Sequence, residues 1–156
     1  MTRIAEADQQ AQADVAQRLR RVVGHLTRLF RPVDASLATD LTPTRTAVLL
    51  NTVRNGRARL ADVAEQEGLN PTLLSRTLAT LAEDGLVERV SDPDDRRVAW
   101  VSPTPAGRRL AQRIRAQRTA ALHDALASLS DAERHRIEAA LPALERLVEH
   151  FSQDLT

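Results

Sequence analysis

A mainly α-helical fold, with six main helices and one small antiparallel β-hairpin, is what this sequence predicts, on three observations. The 156 residues include only five glycines and three aromatics (Phe30, Trp100, Phe151), while Ala, Leu, Arg and Glu, all strong helix formers, abound. Apolar residues recur at helical spacing towards both ends of the chain. Residues 85–107, GLVERVSDPDDRRVAWVSPTPAG, set two short strand-like runs around an Asp- and Arg-rich turn, with a helix start directly behind.

The elements follow in order. Val15, Leu19, Val22, Leu26 and Leu29 are spaced 4, 3, 4 and 3, and Val23 and Phe30 widen the stripe, so 8–31 reads as an amphipathic helix that Pro32 should end. Residues 33–41 are polar and read as a loop. Thr42-Pro43 supplies an N-cap and a proline at the first helical position, opening a helix to about Arg54 with Val48, Leu49 and Val53 inward. Asn55-Gly56 stops it.

An extended piece at 57–60 leads into a helix at 61–67, closed by Gly68. Asn70 caps the next helix, 71–84, with Pro71 at its first position. Its Leu74, Leu78 and Leu81 should turn inward, and Thr72, Ser75, Arg76, Ala79 and Thr80 outward. Leu86–Val90 and Val98–Val101 read as hairpin strands around a tip at 91–97. Thr104-Pro105 opens a helix at 105–127 with Leu110, Ile114, Ala121, Leu122 and Ala125 inward. Ser130 and Glu133 form a capping box for the last helix, 131–152, whose Ile137, Leu141, Leu144, Val148 and Phe151 repeat the 4, 3, 4, 3 spacing. Pro142 should kink or split it.

Composition bounds the function. The chain is long enough for one domain with a moderate core. It has no cysteine, hence no disulfide or thiolate metal site. It has no run near the roughly 20 apolar residues of a membrane span. Its first residues are polar and lack the apolar core of a secretory signal, so a cytoplasmic location without membrane contact is expected. Net charge is only +1, and residues 54–97 carry seven Arg against nine acids. A basic face must therefore come from folding and dimerisation, because no basic tract exists.

A turn-linked helix pair followed by a charged hairpin is the layout of a winged helix-turn-helix. A helix fits the DNA major groove when short hydrogen-bonding side chains line its exposed face. Asn70, Thr72, Leu73, Ser75, Arg76 and Thr80 are the candidates on helix 71–84. A hairpin tip reaching a minor groove needs a long cation held extended, and Asp95 can brace Arg97 for that, with Arg96 between them. The same residues also suit a solvated helix face and an ordinary Asp-Pro-Asp-Asp turn.

These segments resemble the MarR family of bacterial transcription regulators. The likeness rests on LTPTRTAVL at 41–49, LADVAEQEGLNPTLLSRTLATLAEDGLVER at 60–89 and DPDDRRVAWVSPTPAG at 92–107, and covers about residues 12–152. With Thr104 and Gly107 aligned, the family's wing pair falls on Asp95 and Arg97. Pro103 stands where the family usually has Leu, so the second strand should end early. Ala61 stands near the usual Ser/Thr cap.

The resemblance implies one MarR-like domain spanning 1–156: a winged lobe at 42–103, and dimerisation helices at 8–31 and 105–152 interlaced in a homodimer. The two apolar stripes agree, since each needs a covering partner. Function is then expected to be sequence-specific binding of double-stranded DNA by a regulator, expected to act as a repressor. The alternative is a helical dimer serving as a protein-interaction adaptor.

The family's small aromatic or lipophilic effectors would, by position, meet His25, Leu26, Phe30, Arg45, Val48 and Arg113; these residues suit a purely structural role equally well. The four histidines lack His-x-x-x-His spacing, and no nucleophile elbow or phosphate loop appears, so no metal, no cofactor and no enzyme activity is expected.

Overall fold

Three helices open on the same device, a polar side chain followed by proline. Thr42 Oγ1 accepts from the Arg45 amide at 3.3 Å, Asn70 Oδ1 from Leu73 at 2.8 Å and Thr104 Oγ1 from Gly107 at 3.0 Å. Each takes up an amide the helix itself leaves without a partner. The computed structural model describes the backbone of residues 2–35, 41–91 and 99–154. Its order is α1 (Thr2–Ala35), α2 (Pro43–Asn55), β1 (Ala58–Arg59), α3 (Leu60–Gln66), α4 (Pro71–Glu83), β2 (Val87–Ser91), β3 (Ala99–Pro103), α5 (Pro105–Ala127) and α6 (Asp131–Asp154).

Several boundaries differ from expectation. α1 begins six residues before position 8, because the polar Ala-, Glu- and Gln-rich start consists of good helix formers. It also runs past Pro32 to Ala35; so near a helix end, a missing amide forfeits one ladder bond. Pro142 likewise does not split α6, which is continuous with the proline inside. The carbonyl it orphans belongs to Glu138, which is exposed and open to water. α3 starts without a side-chain cap, in line with Ala61. The capping box at Ser130 is formed: its amide donates to Glu133 Oε2 at 2.9 Å, and the Glu133 amide to Ser130 Oγ at 3.4 Å.

The three strands form one antiparallel sheet in the order β1-β3-β2. β3 does not end early but continues through Pro103, which pairs with Val87. The reason is register. The Thr104 amide donates to the Leu86 carbonyl at 3.1 Å. The adjacent Val87/Pro103 pair is therefore of the non-hydrogen-bonded type, where the ladder needs no amide from residue 103.

The inner face of the sheet closes a core with α2, α3 and α4. Val48, Leu49, Val63, Leu78, Leu81 and Val101 are wholly buried there, with Leu74 and Val87 nearly so. Each such side chain contributes about 1.5–3 kcal/mol relative to exposure. Thr52 and Thr77 sit in this core by returning their hydroxyls to the carbonyls of Val48 and Leu73, at 2.8 and 2.9 Å. α5 adds Ala111 and Ile114, and its full burial stops there. Leu122 and Ala125, expected inward, are exposed on this chain. So are the stripes of α1 and α6: Val15, Val148 and Phe151 each keep 64% of their surface, and Leu29 keeps 67%.

Candidate nucleic-acid interface

α4 is anchored on one side and polar on the other. Leu74, Leu78 and Leu81, spaced 4 and 3, fill the core, so the intervening positions must face out. Asn70, Thr72, Leu73, Ser75 and Arg76 are exposed as expected, within the first two turns. Thr80 is only half-buried rather than fully outward, and its hydroxyl donates back to the Arg76 carbonyl at 3.2 Å. Asn70 is occupied as the cap, so its side chain positions the helix start. Asp95, Arg96 and Arg97 lie outside the described residues.

Charge is segregated along this lobe. Residues 70–82 contain Arg76 and no acid, whereas Glu83 and Asp84 stand at the far end of α4, and Asp62, Glu65 and Glu67 on or beside α3. A net negative segment thus presents an acid-free helix start, where backbone amides already favour anions.

Three further arginines of this lobe, not singled out from the sequence, have defined partners. The register places Arg89 opposite Val101 on the inner face of the sheet. From there its Nη2 reaches α4 and donates to the Ser75 carbonyl at 2.8 Å and to Ser75 Oγ at 3.0 Å. On the outer face, Arg59 pairs with Trp100 across β1 and β3. The Arg57 and Arg59 guanidiniums lie 4.6 and 5.3 Å from the Trp100 ring centroid, within cation–π range. Strand alternation was the available signal: Arg89 shares the parity of buried Val87, and Arg57 that of Arg59.

The six residues named for an effector differ widely in exposure. Val48 is wholly buried in the winged-lobe core, a correction to its placement on a crevice wall: α2 turns it inward beside Leu49. His25, Leu26 and Arg113 are exposed, and Arg45 is half-buried. Phe30 approaches α5, where the Arg118 guanidinium lies 5.4 Å from its ring. A cavity of about 370 Å³ beside α2 and α5 is lined by Ala47, Leu50, Asn51, Arg54, Glu67 and Arg115.

Among the described residues no cluster of three His, Cys, Asp or Glu could hold a metal ion, and no helix is long and apolar enough to cross a membrane. His123 lies 3.6 Å from Asp124 in full solvent, and His135 Nδ1 lies 2.8 Å from the Asp131 carbonyl oxygen.

Comparison with known proteins agrees with this geometry. Residues 41–107 match the winged helix DNA-binding domain family. An HTH-type transcriptional regulator of Mycobacterium tuberculosis is 28% identical over 137 residues, covering 88% of this chain and 94% of that protein. A MarR family protein from Bacillus stearothermophilus superposes with a TM-score of 0.76 at 20% identity, over 90% of this chain and 97% of that one. The structure of NadR in complex with 4-hydroxyphenylacetate superposes with a TM-score of 0.64 at 21% identity, over 83% and 91% of the two chains.

Proposed function

We infer, from a winged helix DNA-binding domain carried on the MarR fold, that this protein is a sequence-specific DNA-binding transcription regulator acting as a homodimer. The observation that carries the reading is α4: a helix locked by three buried leucines whose exposed first turns offer short polar side chains, one arginine and no carboxylate. The adaptor alternative rests on the near-neutral charge and the acidic winged segment, and the acid-free stretch 70–82 shows that this balance does not extend to the exposed start of α4.

The dimer follows from unburied apolar surface. α1 and α6 flank a groove of about 800 Å³ lined by Val15, Leu19, Val23, Leu147, Val148 and Phe151 among others. A monomer that left such a face to water would be prone to association, and a second copy of the same helices covers it by two-fold symmetry. Two α4 helices then enter successive major grooves, and the operator is pseudo-palindromic with half-sites roughly 10 bp apart. Arg97 is the residue assigned to a flanking minor groove on this reading, since that groove favours a long cation. Regulation is by repression, as steric occupation of a promoter requires nothing more than this binding surface. A winged helix domain binds rather than catalyses, so no reaction is assigned.

For an effector, the chemistry at hand is a carboxylate or lipophilic ring between the α1/α5 helices and the winged lobe, near His25, Leu26, Phe30, Arg45 and Arg113. NadR holds 4-hydroxyphenylacetate, an aromatic acid of that kind. A ligand acts only through a difference in affinity between two lobe spacings.

The test is a low-salt gel shift with the DNA flanking the protein's own gene, repeated over a salt series. Binding should fall steeply with salt, and Arg97→Ala should cost about 1–3 kcal/mol and shallow the slope. No shift on any flanking DNA at low salt refutes the assignment. A thermal-shift screen with aromatic acids, in which a bound ligand raises Tm, tests the effector.

A further inference from the structure

We propose that Arg89 determines base specificity indirectly, by committing the Ser75 hydroxyl to act as a hydrogen-bond donor at the DNA surface. The inference rests on α4 being the helix that enters the major groove. A hydroxyl carries one proton and two lone pairs, so a serine at a base edge can donate or accept and alone discriminates little. At Ser75 the structure removes that ambiguity.

Arg89 Nη2 lies 3.0 Å from Ser75 Oγ and 2.8 Å from the Ser75 carbonyl, a two-point grip made by a single nitrogen. The contact takes up a lone pair on the sheet side of Oγ. Among the described residues nothing accepts the Ser75 proton, and the residue is exposed, so the O–H is left to turn outward. The guanidinium also polarises that O–H into a stronger donor, and its charge opposes the approach of a base amino group to the same oxygen. In the major groove, guanine offers N7 and O6, adenine N7 and thymine O4 as acceptors, whereas cytosine offers only its N4 amino donor. The arrangement therefore disfavours cytosine at the base that Ser75 contacts.

Arg89 is reached through the sheet register rather than from α4 itself. Val101, opposite Arg89, and the Val87/Pro103 pair beyond are all buried. The residue thus continues the inner face just past the core, where a long side chain can cross to α4 without leaving that face.

The experiment is selection of bound duplexes from a randomised library by the full-length wild type, then by Arg89→Met, Arg89→Lys and Ser75→Ala. Wild type should enrich a site that excludes cytosine at one position per half-site. Ser75→Ala and Arg89→Met should relax that same position by about fivefold, the worth of one neutral hydrogen bond. Arg89→Lys should keep the preference, since one ammonium can make both contacts. If Arg89→Met weakens all sequences by a common factor, or alters a position other than the one Ser75→Ala alters, the proposal is wrong. If Arg89→Met does not fold, loss of the preference in Arg89→Lys overturns it and retention upholds it. If wild type enriches nothing, the regulator reading itself falls, and this inference with it.

Discussion

Gly107 opens a test in which two physical effects predict opposite signs. It lies in the first turn of α5, and its amide is capped by Thr104 Oγ1 at 3.0 Å. Helix propensity alone says that Gly107→Ala should stabilise the protein by about 1 kcal/mol. The structure says otherwise. A Cβ built there would meet the Leu86 carbonyl oxygen at 2.0 Å, the Leu86 carbonyl carbon at 3.0 Å and Leu49 Cδ1 at 3.3 Å. The nearest atom is backbone and cannot rotate aside. Leu86 is held between Gly85, at φ +68, and the β2/β3 ladder, and its carbonyl accepts from the Thr104 amide at 3.1 Å.

Accommodation means pushing α5 off the sheet and stretching that bond. Overpacking costs about 1–3 kcal/mol, and the lost hydrogen bond about 1 kcal/mol. Offset by propensity, the net is destabilisation of about 1–3 kcal/mol. For a chain of this size each kcal/mol moves Tm by about 2–4 °C, so a fall of roughly 2–12 °C is expected. Thermal unfolding followed by circular dichroism at one fixed protein concentration reads it directly. A Tm equal to or above wild type would show that α5 can slide freely over Leu86, and would refute the reasoning.

Three further outcomes are expected. Asn70→Ala should lower the urea midpoint by the equivalent of about 1 kcal/mol, as a lost N-cap does, while Asn70→Asp should hold it; equal midpoints for all three proteins would deny the cap its role. The Ser130 hydroxyl, and then the Ser130 amide, hold the Glu133 carboxyl below the usual carboxylate range. Its folded pKa being depressed, its contribution is present above the unfolded value of about 4.3 and fades as pH falls through the folded value. Wild type should therefore exceed Glu133→Gln in Tm at neutral pH and converge with it once pH falls below the folded value, whereas a constant gap down to acid pH would contradict the assignment. Val15→Glu and Phe151→Glu should shift sedimentation from dimer towards monomer; a wild type that sediments as a monomer, or variants that stay dimeric, would remove the α1/α6 face from the interface.

Local chemistry was readable from the sequence wherever neighbouring residues decide the outcome. Thr-Pro, Asn-Pro and Ser-x-x-Glu mark helix starts because capping is settled within four residues. Leu74, Leu78 and Leu81 mark a buried face because helical spacing allows no other grouping. The winged layout, and with it the exposed polar face of α4 proposed to meet DNA, followed from those local signals and the family likeness. What the sequence hid depends on partners far along the chain. Pro103 stays in its strand only because Thr104 and Leu86 set the hydrogen-bonding phase of the ladder. Val48 belongs to the core, and not to a ligand crevice, because the rotation of α2 is chosen by what α4 and the sheet press against it. Arg89 meets Ser75 only once β2 lies against α4, since strand register, which no single segment carries, decides which side chains cross from one element to the next.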